Sequence, residues 1–513
     1  MKQKIASSLN AVLVLAAIAV GMFSLGPDLF GSGSSSGSEP VTAKPDPSTP
    51  VVLIILDEVP TASLMKADQT IDANRFPNIS RFASESTWYR DNAAAGDFTA
   101  WAVPPILTGN HTNENVLPTN KVQPNNIFNL LGPGRRVHGL EEVTELCSKK
   151  YCPDGHQGEA ADEIYADEFI KAKFKLIDVA AINQWIRTIP AGKRTMSVLH
   201  LPLPHQPLLY LPKGQRYPGG PLGFTIDPAI KDWAISDAGV SLVHQRHLLQ
   251  AGYADLMVGK IMKKIRKNGD FDKSLVIVTA DHGVSYDVRY DRRDANPGSI
   301  AATLNPPLMI KYPNQRTGTV SEESTQNTDL VPTIAKLLGA KNLYKTDGVP
   351  IDQIPPNRSM VADKDFAARI HFTANDIREQ RLELLRASVE RFGKRGLWKL
   401  GPQSGLIGTR PGRTRALGGA SVSIDSPRQL ANYKPRAGYV PSLISGELTG
   451  VEADQVIAVA LNGRITGTTR TFTYEGPMRF GTMTSPSSIR KGANRIAVYT
   501  VSPAGNLKRI PRG

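Results

Sequence analysis

Three short stretches bring together residue types that can run ester chemistry. Asp57-Glu58 follows the apolar run 51–56 (VVLIIL), Asp281-His282-Gly283 follows 275–280 (LVIVTA), and Thr99 opens a segment that continues to Thr108-Gly109. Carboxylates and an imidazole can share one divalent ion. The adjacent Asp281 and His282 both reach it if the backbone turns sharply, which Gly283 permits. With Asp97 as the N-cap, Thr99 falls in the first turn of a helix, where free N–H groups and the helix dipole favour an oxyanion. A cation held by Asp57, Asp281 and His282 would lower the pKa of the Thr99 hydroxyl and ready it for attack on phosphorus or sulfur. Each stretch also has an ordinary structural use: Asp57 as a loop opener or helix cap, Asp281-His282 as a surface turn, Thr99 as a plain cap. The chemistry is carried by the three together.

Something must hold these stretches side by side. Residues 51–56, 195–199, 275–279 and 307–310 are short apolar runs, as in strands covered on both faces. Helical patterns lie between them, over 162–189 and over 243–267, the second stopping at Gly269. Strands alternating with helices imply an α/β fold over 51–340, a doubly wound, mostly parallel sheet with helices on both faces. Sites in such sheets gather beyond the carboxyl ends of the strands, where Asp57 and Asp281 stand. His200 and His205 lie just after the run 195–199, and His200 is either a site residue or a satisfied structural histidine. Arg289, Arg292 and Arg293, shortly after Asp281-His282-Gly283, are either a clamp for an anionic substrate or a solvated run.

The order of motifs resembles the sulfatase and alkaline-phosphatase superfamily. It runs from a strand ending in Asp57, through a nucleophile segment ending in Leu107-Thr108-Gly109 and the Pro-His-x-Pro around His205, to Asp281-His282-Gly283 and the helix sequence 328–334 (TDLVPTI). The resemblance covers 51–339. It implies Asp57, Asp281 and His282 as metal ligands, Glu58 as an additional one, Thr99 as nucleophile and ligand, and His205 as a group that holds substrate oxyanions or protonates a leaving group. Sulfatases carry Cys or Ser at the nucleophile, with Pro two and Arg four residues later, for conversion to formylglycine. This chain has Thr99, Trp101 and Val103, so that modification is not expected. A threonine there is similar to the nucleophile of nucleotide pyrophosphatase/phosphodiesterases and lipoteichoic acid synthases, which implies phosphate esters. The superfamily's second metal site includes a His where this chain reads Gln326-Asn327-Thr328-Asp329, so one divalent ion is expected, with Mn, Mg, Ca and Zn all open. The alternatives are a sulfuric ester hydrolase without formylglycine and a non-catalytic envelope-binding protein.

Composition sets the surroundings. The chain has 513 residues and a net charge of +14, and 401–513 alone holds 15 basic and 5 acidic residues. That stretch is either merely soluble or a face for anionic partners such as an envelope glycan or lipid headgroup. No nucleic-acid-binding motif is present, so no nucleic acid partner is expected. Lys2 and Lys4 precede the apolar run 11–25, read as an export signal or single membrane anchor, which places the catalytic part outside the cytoplasm, anchored or secreted. Cys147 and Cys152 are the chain's two cysteines and suit a disulfide in an exported compartment. The expected order is a signal or anchor over 1–28, a Gly/Ser/Pro linker over 29–50, the catalytic domain over 51–345, a helical bridge over 346–412 and a basic β-rich domain over 413–513. Asn462-Gly463 between two β-like runs marks a hairpin in the last of these, read as a small antiparallel β-sandwich.

Overall fold

Alternation along a single strand organises the molecule. In the computed structural model, which describes residues 45–513 apart from 114, 154–177, 219–235, 342, 365–367, 394–395, 436–437 and 474–475, every residue of β1 (Val51–Asp57) is buried. Val52, Ile54 and Leu56 enter one core with the long helix Asp237–Lys267. Val51, Leu53 and Ile55 enter a second core with the helices Thr99–Thr108 and Leu330–Leu338. A strand with period two and apolar residues on both faces requires cover on both sides.

The remaining strands of this sheet are β2 (Thr87–Tyr89), β3 (Arg136–Leu140), β4 (Thr195–Pro204), β5 (Leu275–Ala280), β6 (Leu308–Lys311) and β7 (Thr319–Ser321). Their order is β3-β4-β1-β5-β6-β2-β7. From β3 to β5 the pairing is parallel, while β6 runs antiparallel to both β5 and β2. All four expected strands are present and the sheet is mostly parallel. The reversal at β6 arises because the chain leaves the carboxyl end of β5 and turns back through the short helix Ile300–Thr303 without crossing the sheet. The short β2, β3 and β7 are too brief or too polar to read from sequence.

The helix expected over 243–267 begins earlier, at Asp237. Of the helix expected over 162–189, Val179–Thr188 is present and 162–177 lies outside the described residues. The end of the expected linker is folded: Arg135 donates to the Thr49 and Pro47 carbonyls at 2.8 and 2.6 Å. The expected helical bridge holds the helix Ala374–Phe392 but also an antiparallel pair, Met360–Asp363 with Arg369–Phe372. The C-terminal part forms a five-stranded and a four-stranded sheet. Its hairpin turns at Asn462 and Gly463, both at positive φ, as a two-residue hairpin loop requires. Val422, Leu443, Ile457 and Phe480 of this part share one core with the helix Asp237–Lys267, and residues 42–513 form one compact unit. Cys147 and Cys152 are joined in a disulfide. No helix among the described residues is long and apolar enough to cross a membrane, and the N-terminal apolar run lies outside them.

Candidate active site

Three neighbouring strands deliver the central groups. Asp57 ends β1 at a break in register with β4, His200 lies within β4 opposite Ile55, and Asp281 follows β5. All three are buried. One donor atom from each lies within 4.8 Å of the other two, a grouping able to hold a metal ion. Asp281 Oδ1 accepts from the backbone N–H groups of Glu58 and His282 at 3.0 and 2.7 Å, which aims the other oxygen at the cluster. Asp281 Oδ2, Asp57 Oδ1 and both ring nitrogens of His200 have no hydrogen-bond partner. Buried polar atoms left unmatched cost about 1–3 kcal/mol each, and their convergence fits a cation. Burial, followed by repulsion from Asp281 and Glu58, raises the Asp57 carboxyl well above the usual range. Burial holds His200 at about 4, so its imidazole is neutral at physiological pH and keeps a lone pair.

Thr99 is buried at the first position of its helix. Its Oγ1 lies 3.3 Å from His282 Nε2. His282 Nδ1 donates to the Gly283 carbonyl at 2.7 Å, which leaves Nε2 unprotonated on the neutral ring that burial favours. The same Nε2 is 3.5 Å from Asp281 Oδ2. The helix N-cap is Phe98, with no side-chain cap, so the first N–H groups remain available to an anion. Asp97 is not the cap: it accepts from Trp101 Nε1 at 3.1 Å and from the Ala295 N–H at 2.9 Å.

Glu58, expected as a ligand, serves arginines instead. Its Oε1 accepts from Arg292 at 2.6 Å and from Arg293 at 2.7 Å. Burial alone would raise this carboxyl, and Arg293 with Arg292 outweighs it and holds it far below the usual range. Arg293 also donates to His205 Nε2 and lies over the Phe98 ring, 5.1 Å from its centre. His205 Nδ1 donates to the Gln206 carbonyl at 2.6 Å. Both nitrogens of His205 are thus engaged, and burial followed by Arg293 keeps the ring neutral. In this arrangement His205 positions Arg293 and has no proton directed at the cluster. Arg289 does not join the site: its side chain is 74% exposed and bound to Asp287.

The chain bends at Asp281 directly after β5, and Gly283 makes that turn possible without positive φ, which is taken instead by Glu58 (68°) after β1. Gly283 is required because a Cβ there would stand 2.1 Å from the Ala302 carbonyl oxygen.

The sulfatase family model matches residues 49–340, more than half of the chain. This chain belongs to the sulfatase family. As a sulfatase-family hydrolase it has a fold similar to several solved structures. Phosphonate monoester hydrolase SpPMH from Silicibacter pomeroyi is 18% identical, over 61% of this chain and 80% of that one, with a TM-score of 0.43. The phosphonate monoester hydrolase of Agrobacterium radiobacter is 14% identical, over 67% and 92%, with a TM-score of 0.47. A chain from a glycosaminoglycan-metabolism locus of Bacteroides thetaiotaomicron is 13% identical, over 64% and 85%, with a TM-score of 0.44. No curated protein matches.

Sequence reasoning missed the supports of this sulfatase-family site. Asn327 Nδ2 donates to the Ala280 carbonyl at 3.1 Å, bracing the end of β5. His247 donates to the Glu58 carbonyl at 2.8 Å. Gln250 accepts from the Leu209 and Tyr210 N–H groups and donates to the Pro204 and His205 carbonyls. Asn327 stood in plain view, in a stretch read only for the histidine it lacks.

Proposed function

We propose that this protein transfers the phosphoryl group of a phosphate ester through Thr99, outside the cytoplasm. The observation that carries the reading is the Thr99 hydroxyl, set at an uncapped helix N-terminus and facing the unprotonated Nε2 of His282. Asp57 and Asp281 would hold a divalent ion beside it. When bound, that ion supplies positive charge that favours the Thr99 alkoxide and offsets charge growing on the ester oxygens.

Thr99 Oγ1 forms a bond to phosphorus while the bond to the alcohol oxygen breaks. The Thr99 proton passes to His282 Nε2, and the departing alkoxide takes its proton from solvent water. Water, or a second alcohol, then attacks phosphorus and gives up its proton to solvent, the bond to Thr99 Oγ1 breaks, and His282 returns its proton to Thr99. Arg293, fixed by Glu58 and His205, offers its remaining N–H groups to the ester oxygens. With a divalent ion bound and Asp57 ionised by it, three carboxylates (Asp57, Glu58 and Asp281) stand against two guanidinium groups and the ion, a single net positive charge that suits a singly charged ester such as a phosphodiester.

Thr99→Ala tests the mechanism. Purified metal-loaded enzyme should turn over aryl phosphates or phosphodiesters faster than sulfate esters, and the variant should lose at least about a thousandfold in kcat. Intact mass after rapid quench should show a phosphoryl adduct on the wild type. Preferred sulfate turnover, or an active Thr99→Ala, refutes the reading. Export is supported by the N-terminal Lys2, Lys4 and apolar run together with the disulfide. Protease added to intact spheroplasts should digest the catalytic part, and full protection would place it inside.

A further inference from the structure

His200 has no role in the chemistry above, yet it lies among the catalytic groups. It is 1% exposed, and neither ring nitrogen has a hydrogen-bond partner. A neutral imidazole carries one N–H and one lone pair, so burial without partners leaves both unmatched. Its Nε2 stands 3.6 Å from Asp57 Oδ2. Asp57 and Asp281 each also have an unmatched oxygen, and one donor atom from each of these carboxylates and from His200 lies within 4.8 Å of the other two. Among the described residues the guanidinium groups next to this cluster, Arg292 and Arg293, are both bound to Glu58 instead. A packing role would also call for an apolar side chain at a strand position opposite Ile55, rather than a polar ring without partners.

We propose that His200 is a ligand, through a ring nitrogen, of the divalent ion held by Asp57 and Asp281, and that this nitrogen makes the site prefer Zn²⁺ to Mn²⁺, Ca²⁺ and Mg²⁺. The proposal deepens the reading above and rests on its cation. Calcium, magnesium and manganese favour oxygen donors, whereas imidazole suits zinc. The carboxylate that would have made the site harder, Glu58, is turned to the arginines. His200 thus takes up the coordination that Glu58 leaves, with a ring nitrogen in place of a carboxylate oxygen.

The test uses the full chain, stripped by chelator and equilibrated with each of the four ions. Wild type should retain about one Zn²⁺ per chain by elemental analysis after desalting, and excess Mn²⁺, Ca²⁺ or Mg²⁺ should not displace it. His200→Gln should lose at least about 100-fold in affinity for Zn²⁺, the upper end of what loss of even an outer-shell partner costs, with its weak affinity for Ca²⁺ unchanged. His200→Ala serves as a second variant, and the Tm of each metal-free variant reports whether it folds. The visible spectrum of Co²⁺-loaded protein should change on loss of the nitrogen, which a merely structural role would not produce. A folded variant that keeps its Zn²⁺ affinity within tenfold, or a wild type that prefers Mn²⁺, Ca²⁺ or Mg²⁺, overturns the proposal while leaving phosphoryl transfer through Thr99 intact. A wild type that takes up none of the four ions overturns both.

Discussion

Glu58 takes a left-handed backbone conformation that glutamate rarely adopts, and all of its polar groups help to hold it there. Its N–H donates to Asp281, its carbonyl accepts from His247, and its carboxylate receives two arginines. A residue in this region costs on the order of 1–3 kcal/mol, which persists only where the surroundings over-determine it. Glu58→Gln would leave two buried guanidinium groups with a neutral partner. We expect stability to fall by about 3–5 kcal/mol, since breaking a buried ion pair strands a charge. Urea unfolding measures this, and a change under 1 kcal/mol would show that Arg292 and Arg293 find other partners. The residue types of the site were legible in sequence because ester chemistry draws on few of them. The partner of each was not: nothing in Asp57-Glu58 says that one carboxylate faces the cluster and the other faces arginines.

At the scale of elements, the turn after β5 depends on a close approach. Gly283 packs against Ala302 and donates to the Thr303 carbonyl at 2.7 Å, so this turn is held directly against the helix Ile300–Thr303. Gly283→Ala forces the two apart. We expect a loss of about 1–3 kcal/mol from overpacking and a fall in kcat of about 100-fold as His282 shifts from Thr99. Thermal unfolding and steady-state kinetics on one preparation check both, and an unchanged kcat would mean that His282 does not set the nucleophile. The strands that carry the site were readable because burial on both faces writes an unbroken apolar run. Thr99 does open the helix as expected, but the cap is not Asp97, which looks like one in sequence, because tertiary packing gives its carboxylate to Trp101 and Ala295.

Over the whole molecule, the C-terminal sheets share a core with the helix Asp237–Lys267, whose Gln250 and His247 brace the site. A chain ending at residue 412 would expose that core. It should lose cooperative urea unfolding and near-UV circular dichroism, and turnover should go with them. A truncated protein that unfolds cooperatively and keeps its kcat would restore the separable domain that composition alone suggests. Composition marks a boundary where charge and texture change, but it is blind to apolar surface shared across that boundary.

The sequence by itself determined the mostly parallel sheet, its two-sided burial, the Asn462-Gly463 hairpin and the residue types at the strand ends, because each is written in local periodicity or in a short motif. Only the tertiary structure decided that His200 joins Asp57 and Asp281, that Glu58 turns to Arg292 and Arg293, and that Arg289 stays in solvent. These assignments depend on which side chains meet across strands distant in sequence. That is settled by register and burial over the whole fold and by no short stretch of chain.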